Sequence, residues 1–358
     1  MSAPDVTRLG RSVSRASDEP VPLAVSRLSL LAVLLAVGGA RAAGLAVPDR
    51  PQWALYLLGM VAMNLPHGGY EHLDNLRRRT AGFQARYVAA YLALAGGFVV
   101  LLFLSPLLGL ALACGVVVAK GGHGDVAVLD AVGASAHLQT RPQRALAALV
   151  RGGAPMAVGL WAFPTDFHVF SSLMVGVFGG SLGPVAGQFT TTRSLVGGAY
   201  ALALLAHLSL GYARGGGRSW RVDAGESLLL GAYFAVVPVV LAVGLYFPFW
   251  YSARQVARAR AVETDPFDDR QSEGPFALLD AEDPRTVALG AWGVLVGGAL
   301  VTGTLAAGLF WLAPNPLGGG PPLAGGVAFW SLFVSVIALP HVVVGSWLDT
   351  ERGIWYVP

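Results

Sequence analysis

The chain has 358 residues, 54% of them hydrophobic and 13% charged, with a mean hydropathy of +0.59. Soluble domains carry about 25% charged residues, so an ordinary water-soluble enzyme and a disordered chain are excluded. Net charge is only +3 and no basic patch with interleaved aromatics is present, so nucleic acid is not an expected partner.

Composition and apolar runs predict an all-α fold, a polytopic transmembrane bundle of about eight to ten spans in the lipid bilayer. Residues 1–25 are polar and carry Arg8, Arg11 and Arg15. No signal-peptide pattern precedes the span at 26–47, which reads as an uncleaved anchor of a multi-pass cell-membrane protein. The positive-inside rule puts the N-terminus in the cytoplasm. One transmembrane domain is expected over 26–350, with a charged loop at 253–286 and a short tail at 351–358. Further long spans are expected at 87–105, 194–212, 226–251, 287–313 and 326–348. Shorter or broken ones are expected at 52–66, 106–122, 145–164 and 169–189.

Arg77, Arg78, Arg79 and Arg86 then lie inside after two spans, and Lys120, Arg141 and Arg144 after four. The rule conflicts with itself further on. Arg214, Arg218 and Arg221 are separated by one expected span from Arg254, Arg258, Arg260, Arg270 and Arg285. The acidic loop from Glu263 to Asp283 fits a chain adapted to high salt, and equally a solvated linker. The single cysteine, Cys114, excludes a disulfide framework within the chain.

Polar groups at membrane depth are expensive and point to function. Pro66-His67-Gly68-Gly69-Tyr70-Glu71-His72 breaks a short span, and Glu71 beside His72 suits a carboxylate that orients an imidazole. Lys120-Gly121-Gly122-His123-Gly124-Asp125 ends another short span. Pro340-His341 lies inside the last span. Each has a plain alternative: a capped helix end, an interfacial loop, a hydrogen-bonded packing histidine. Tyr251 and Gln255 stand at i and i+4 and share a helix face. His137 and His168 read as loop residues and His207 as packed. No pair of opposite charges at mid-span suggests the coupling ion of a transporter.

Together these segments resemble the bacteriorhodopsin-related-protein (Brp/Blh) family of membrane beta-carotene 15,15'-dioxygenases, over roughly residues 60–355. Pro66-His67-Gly68-Gly69 with Glu71-His72 is similar to the family's P-H-G-A-x-D-H. Arg151-Gly152-Gly153-Ala154-Pro155-Met156 with Phe163-Pro164 is similar to R-G-G-x-P-M…F-P. Tyr246 to Gln255 is similar to Y-F-x-x-W-H-S-x-R-H, and Pro340-His341 with Trp347 and Asp349 to P-H-x-x-V…D.

The resemblance implies a non-haem Fe(II) site of histidines that cleaves beta-carotene to retinal with O2. This chain departs from the pattern at its ligand positions. Tyr251 and Gln255 replace both histidines of the i, i+4 pair. Without a gap, the histidine of the motif around Gly122, Gly124 and Asp125 falls on Lys120, whereas a three-residue slip brings His123 there.

The resemblance leaves His67, His72, His123 and His341 as metal ligands of a rebuilt site. Glu71, Asp125, Arg151, Pro66 and Pro340 are then supporting residues. Two readings stand. One is a carotenoid-cleaving dioxygenase with a remodelled or degenerate iron site. The other is a non-catalytic paralogue, without metal, that binds carotenoid or retinal or assists opsin assembly.

Overall fold

The computed structural model describes residues 21–64, 76, 80–261, 278, 281 and 283–351. Pro66, His67, Glu71, His72, Arg77 to Arg79, the acidic residues from Glu263 to Glu282 and the tail beyond Glu351 lie outside the described residues. Among the described residues there is no strand.

Helix α1 spans Val21–Ala42 and α2 spans Asp49–Leu57, continuing as a π-helical stretch Leu58–Asn64. Helices α3 (Ala81–Leu104) and α4 (Pro106–Ala131) follow, separated by Ser105, whose extended φ of −151° turns the chain. Helix α5 (Arg141–Gly153) runs through the π-helical turn Ala154–Val158 to Ala162, and α6 spans Pro164–Val177. Helix α7 is Phe189–Ala213, α8 is Gly217–Val236 and α9 is Val239–Tyr246. A second π-helical turn, Phe247–Ser252, leads into α10 (Ala253–Ala261). Helices α11 (Pro284–Leu312) and α12 (Pro322–Glu351) complete the bundle. Of the three π-helical segments among the described residues, Ala154–Val158 and Phe247–Ser252 contain a proline, Pro155 and Pro248, which removes a backbone donor and lets the ladder widen, whereas Leu58–Asn64 has none.

Seven helical stretches among the described residues are long and apolar enough to cross a membrane. Helices α3, α7 and α11 turn most of their apolar surface outward, Trp311 being 87% exposed. In water that would be a liability, and in lipid it is the expected face. Inside, two apolar cores form. One joins Leu30, Tyr56, Phe234, Val240 and Trp250. The other joins Phe98, Val116, Met174, Phe329 and Phe333.

Three expectations are corrected. The span at 226–251 is two helices. Val237 is extended (φ −84°, ψ 128°) before Pro238, as the residue before a proline prefers. Helices α8 and α9–α10 therefore fold back as a hairpin: Tyr233 donates to the Ala242 carbonyl, the Phe234 and Tyr246 rings lie 5.5 Å apart, and Arg254 meets Glu226. The Arg-bearing segments before α8 and in α10 thus lie at one end, and the conflict in the charge rule disappears. The start of α1 joins that end, where Leu23 packs with Val128 and Ala257.

The span at 106–122 continues to Ala131, so Lys120 and His123 lie inside α4 instead of at its end. The glycines serve contact: a Cβ on Gly122 would overlap the Ala148 carbonyl and one on Gly152 the Val118 carbonyl oxygen. The two backbones meet there, as small residues allow between membrane helices. Finally, His168 is helical, within α6, its ring edge-on to Phe189 at 5.1 Å.

Candidate functional site

Helix α4 presents two polar faces. On one, Lys120 and Gly124, a turn apart, look toward the π-helical turn after α9. The Lys120 ammonium sits 5.4 Å from the centre of the Tyr251 ring. A Cβ on Gly124 would come within 2.9 Å of both Tyr251 Cε2 and Gln255 Nε2. Lys120, Tyr251 and Gln255, separated by about a third of the chain, are therefore neighbours. Tyr251 and Gln255 are buried.

On the other face, Asp125 is buried in a network of ions. Arg151 donates from Nε to Asp125 (3.0 Å), from Nη1 to Asp223 (2.5 Å) and from Nη2 to Glu226 (2.5 Å). Arg254 donates to Asp125 (2.5 Å) and Glu226 (2.8 Å), and Arg27 to Glu226 (2.7 Å). The Trp250 indole donates to Asp125 at 3.0 Å, and the Arg254 guanidinium lies over the same ring at 4.6 Å. His137 and His207 both reach Asp223 Oδ2, at 2.8 and 3.0 Å. Three carboxylates thus face three guanidiniums, so the set is close to neutral, the condition under which buried charges are tolerated. The network fixes Trp250 and Arg254 on either side of Tyr251, and so sets where Tyr251 and Gln255 point.

Asp125 and Arg151 carry the supporting positions read from the sequence. Asp223, Glu226, Arg27, His137 and His207 had been missed. Asp223 and Glu226 fall at the junction between the Arg-bearing segment 213–225 and the span expected at 226–251. The available signal was their i, i+3 spacing ahead of an apolar helix, together with Pro238 as a break.

An apolar cleft opens between the two cores and holds about 870 Å³ of empty space, including its mouth. Met156, Phe167, Phe170, Met174, Val240 and Phe247 are among its walls, and Lys120 lines it too. Three of its hydroxyls are engaged: Tyr56 meets Ser331 at 2.5 Å, Ser331 donates to the Val327 carbonyl and Ser335 to that of Ser331. Such a lining suits an apolar ligand.

His123 is exposed on α4. His341, half-buried after Pro340, lies one turn beyond Ala338, which lines the cleft. Among the described residues no three His, Cys, Asp or Glu side chains converge on a metal position. The convergent trio fits Fe(II) poorly. An ammonium repels a cation, a phenol with a usual pKa of about 10 must ionise to bind one, and a neutral amide is a weak donor. Imidazoles are what such a site favours.

The sequence profile of the beta-carotene 15,15'-dioxygenase family matches residues 58–349. The chain is 55% identical over 340 residues to the probable beta-carotene 15,15'-dioxygenase Brp of Halobacterium salinarum strains R1 and NRC-1, covering 94% of this chain and 95% of the relative. It is 34% identical over 321 residues to the probable beta-carotene 15,15'-dioxygenase Blh of strain NRC-1, covering 87% and 88%. No solved structure matches the chain. With likeness running through almost the whole length, this polytopic helical protein belongs to the beta-carotene 15,15'-dioxygenase family.

Proposed function

We propose that the cleft binds a carotenoid or its retinal product, and that the family's iron site is degenerate in this chain. The observation that carries the reading is that Tyr251 and Gln255 converge, across Gly124, on the turn of α4 that carries Lys120, and Lys120 lines the cleft. On the family resemblance, Tyr251 and Gln255 stand where ligand histidines are expected, and Lys120 does so in the ungapped alignment. The apolar walls supply burial for a polyene, worth roughly 25 cal/mol per Å² removed from water. Asp125, Arg151 and Arg254 position the helices around it. The protein then acts as a binding partner for the pigment or assists opsin assembly, in the cell membrane. Gathering of the Arg-bearing ends with the start of α1 supports a cytoplasmic N-terminus.

A second reading is favoured by the 55% identity to a relative named a probable beta-carotene 15,15'-dioxygenase. There, Fe(II) is held by a rebuilt set drawn from His67, His72, His123 and His341, and beta-carotene is cleaved. Both are tested in membranes of a beta-carotene-producing host expressing the chain, with iron assayed on the purified protein. Co-purified carotenoid or retinoid, with no retinal formed above background and no iron, supports the first. Retinal with about one iron per chain overturns it in favour of the second, as expected of a resident metal centre.

A further inference from the structure

Lys120 is the only lysine in the sequence, and its side chain lines the apolar cleft. It is the only charged side chain in that wall among the described residues. A cation placed in an apolar wall is costly to keep for packing alone, and an arginine, which this chain otherwise uses throughout, would stack on Tyr251 as well or better. What lysine has and arginine lacks is an amine that adds to carbonyls.

We propose that Lys120 is a covalent attachment point for a long apolar aldehyde, held in the cleft as an imine. The proposal rests on the cleft being a polyene-binding site, as argued above. The Nζ lone pair forms a bond to the aldehyde carbon while the C=O π pair moves to oxygen. The resulting carbinolamine expels that oxygen as water, which carries away two of the nitrogen's hydrogens. Nothing is oxidised or reduced. Where the nitrogen begins as an ammonium, the positive charge remains on the iminium, beside the Tyr251 ring at 5.4 Å from Nζ. A ring face at this distance attracts an iminium as it does an ammonium. The six apolar side chains named above hold the chain of the aldehyde, and the hydroxyls of Tyr56, Ser331 and Ser335 are already engaged. Lys120 is the amine in this wall, and its Nζ is where the polar end of the ligand is fixed.

The test uses the full-length protein in lipid nanodiscs, incubated with all-trans-retinal and sodium cyanoborohydride, which reduces an imine to a stable secondary amine. Intact mass and peptide mapping locate the product. The expected result is one retinyl adduct per chain on Lys120, formed about tenfold or more faster than on the N-terminal amine, a modest return for a held geometry. Lys120→Arg keeps the charge and should lose the adduct. Val334→Phe and Val240→Phe fill the cleft and should suppress labelling at Lys120 while sparing the N-terminus. Labelling of the N-terminus alone, or labelling of Lys120 that both cleft-filling variants leave unchanged, overturns the proposal. Wild-type protein that binds carotenoid and retinal but gives no Lys120 adduct overturns the covalent step and leaves the proposed function standing. An adduct on Lys120 in protein that binds no carotenoid supports attachment and counts against that function.

Discussion

Arg151 and Arg254 clasp the same two carboxylates. Each donates to Asp125 and to Glu226, one from α5 and the other from α10. Helices far apart in sequence are tied at one buried knot, and the side chains flanking Tyr251 are part of it.

Arg151→Met should therefore be severe. It strands Asp125, Asp223 and Glu226 without a central cation, a loss of about 3–5 kcal/mol when a buried pair is broken. Arg27→Ala removes a cation that is 26% exposed at its side chain and should cost less, on the order of 1 kcal/mol. Thermal unfolding in detergent ranks the two. Equal melting of Arg151→Met and the parent would show that the knot does not hold the fold.

The meeting of α4 and α5 makes a sharp comparison. Gly152→Ala pushes a methyl group into the Val118 carbonyl and should destabilise by about 1–3 kcal/mol, as overpacking does. Gly115→Ala, on the same α4 but with nothing within 4 Å of the new methyl, should be neutral or stabilise by up to about 1 kcal/mol through helix propensity. Melting temperatures that move in the same direction would refute the close approach.

Convergence of the three altered positions predicts that they can be changed together. Lys120→His with Tyr251→His and Gln255→His places imidazoles on facing helix turns. The triple variant should retain iron through purification where the parent does not, and each single change should fail. Iron measured by mass spectrometry on purified protein decides it, and a metal-free triple variant would mean that the trio does not face a common centre.

The start of α11 gives a pH dependence. Asp283 caps the helix, accepting from the Thr286 hydroxyl at 2.9 Å and from the Thr286 and Arg285 amides at 3.1 and 3.4 Å. The Thr286 hydroxyl first, then these amides, hold the Asp283 carboxyl below its ordinary value. Its contribution is complete above the unfolded carboxylate pKa, about 3.9, and is lost as pH falls through the lower folded value. Asp283→Ala should speed hydrogen exchange in the first turn of α11 at neutral pH, when rates are corrected for intrinsic exchange. The difference should vanish in strong acid, and a difference that persists there would exclude the carboxylate as the cap.

The helical membrane architecture was legible because hydropathy reports long apolar runs directly. The hairpin at Pro238 was not, since residues on both sides are apolar and a window average is blind to a two-residue turn. Only Val237-Pro238 itself carried the signal. Asp125, Arg151 and Arg254 could be read from motifs. Asp223 and Glu226 offered only their i, i+3 spacing, and pairing across 72 to 75 residues leaves no pattern that names Arg151 as their partner. The glycines around His123 allow either a bend or close packing, and the structure uses Gly122 for helix contact within α4. Lys120 and Tyr251 drew attention as departures from a motif, and their proximity is a fact of the fold alone.

The hairpin also bears on how the chain is made. Helix α8 buries Asp223 and Glu226 in the fold, where a carboxylate left without its counter-ion costs about 3–5 kcal/mol. Their counter-ions lie on helices synthesised at different times. Arg27 and Arg151 leave the ribosome earlier, and Arg254 follows only after the turn at Pro238. Burial of these two carboxylates is thus coupled to an already seated α5 and is completed only on the return of α10, so translation and assembly must run in step through this stretch.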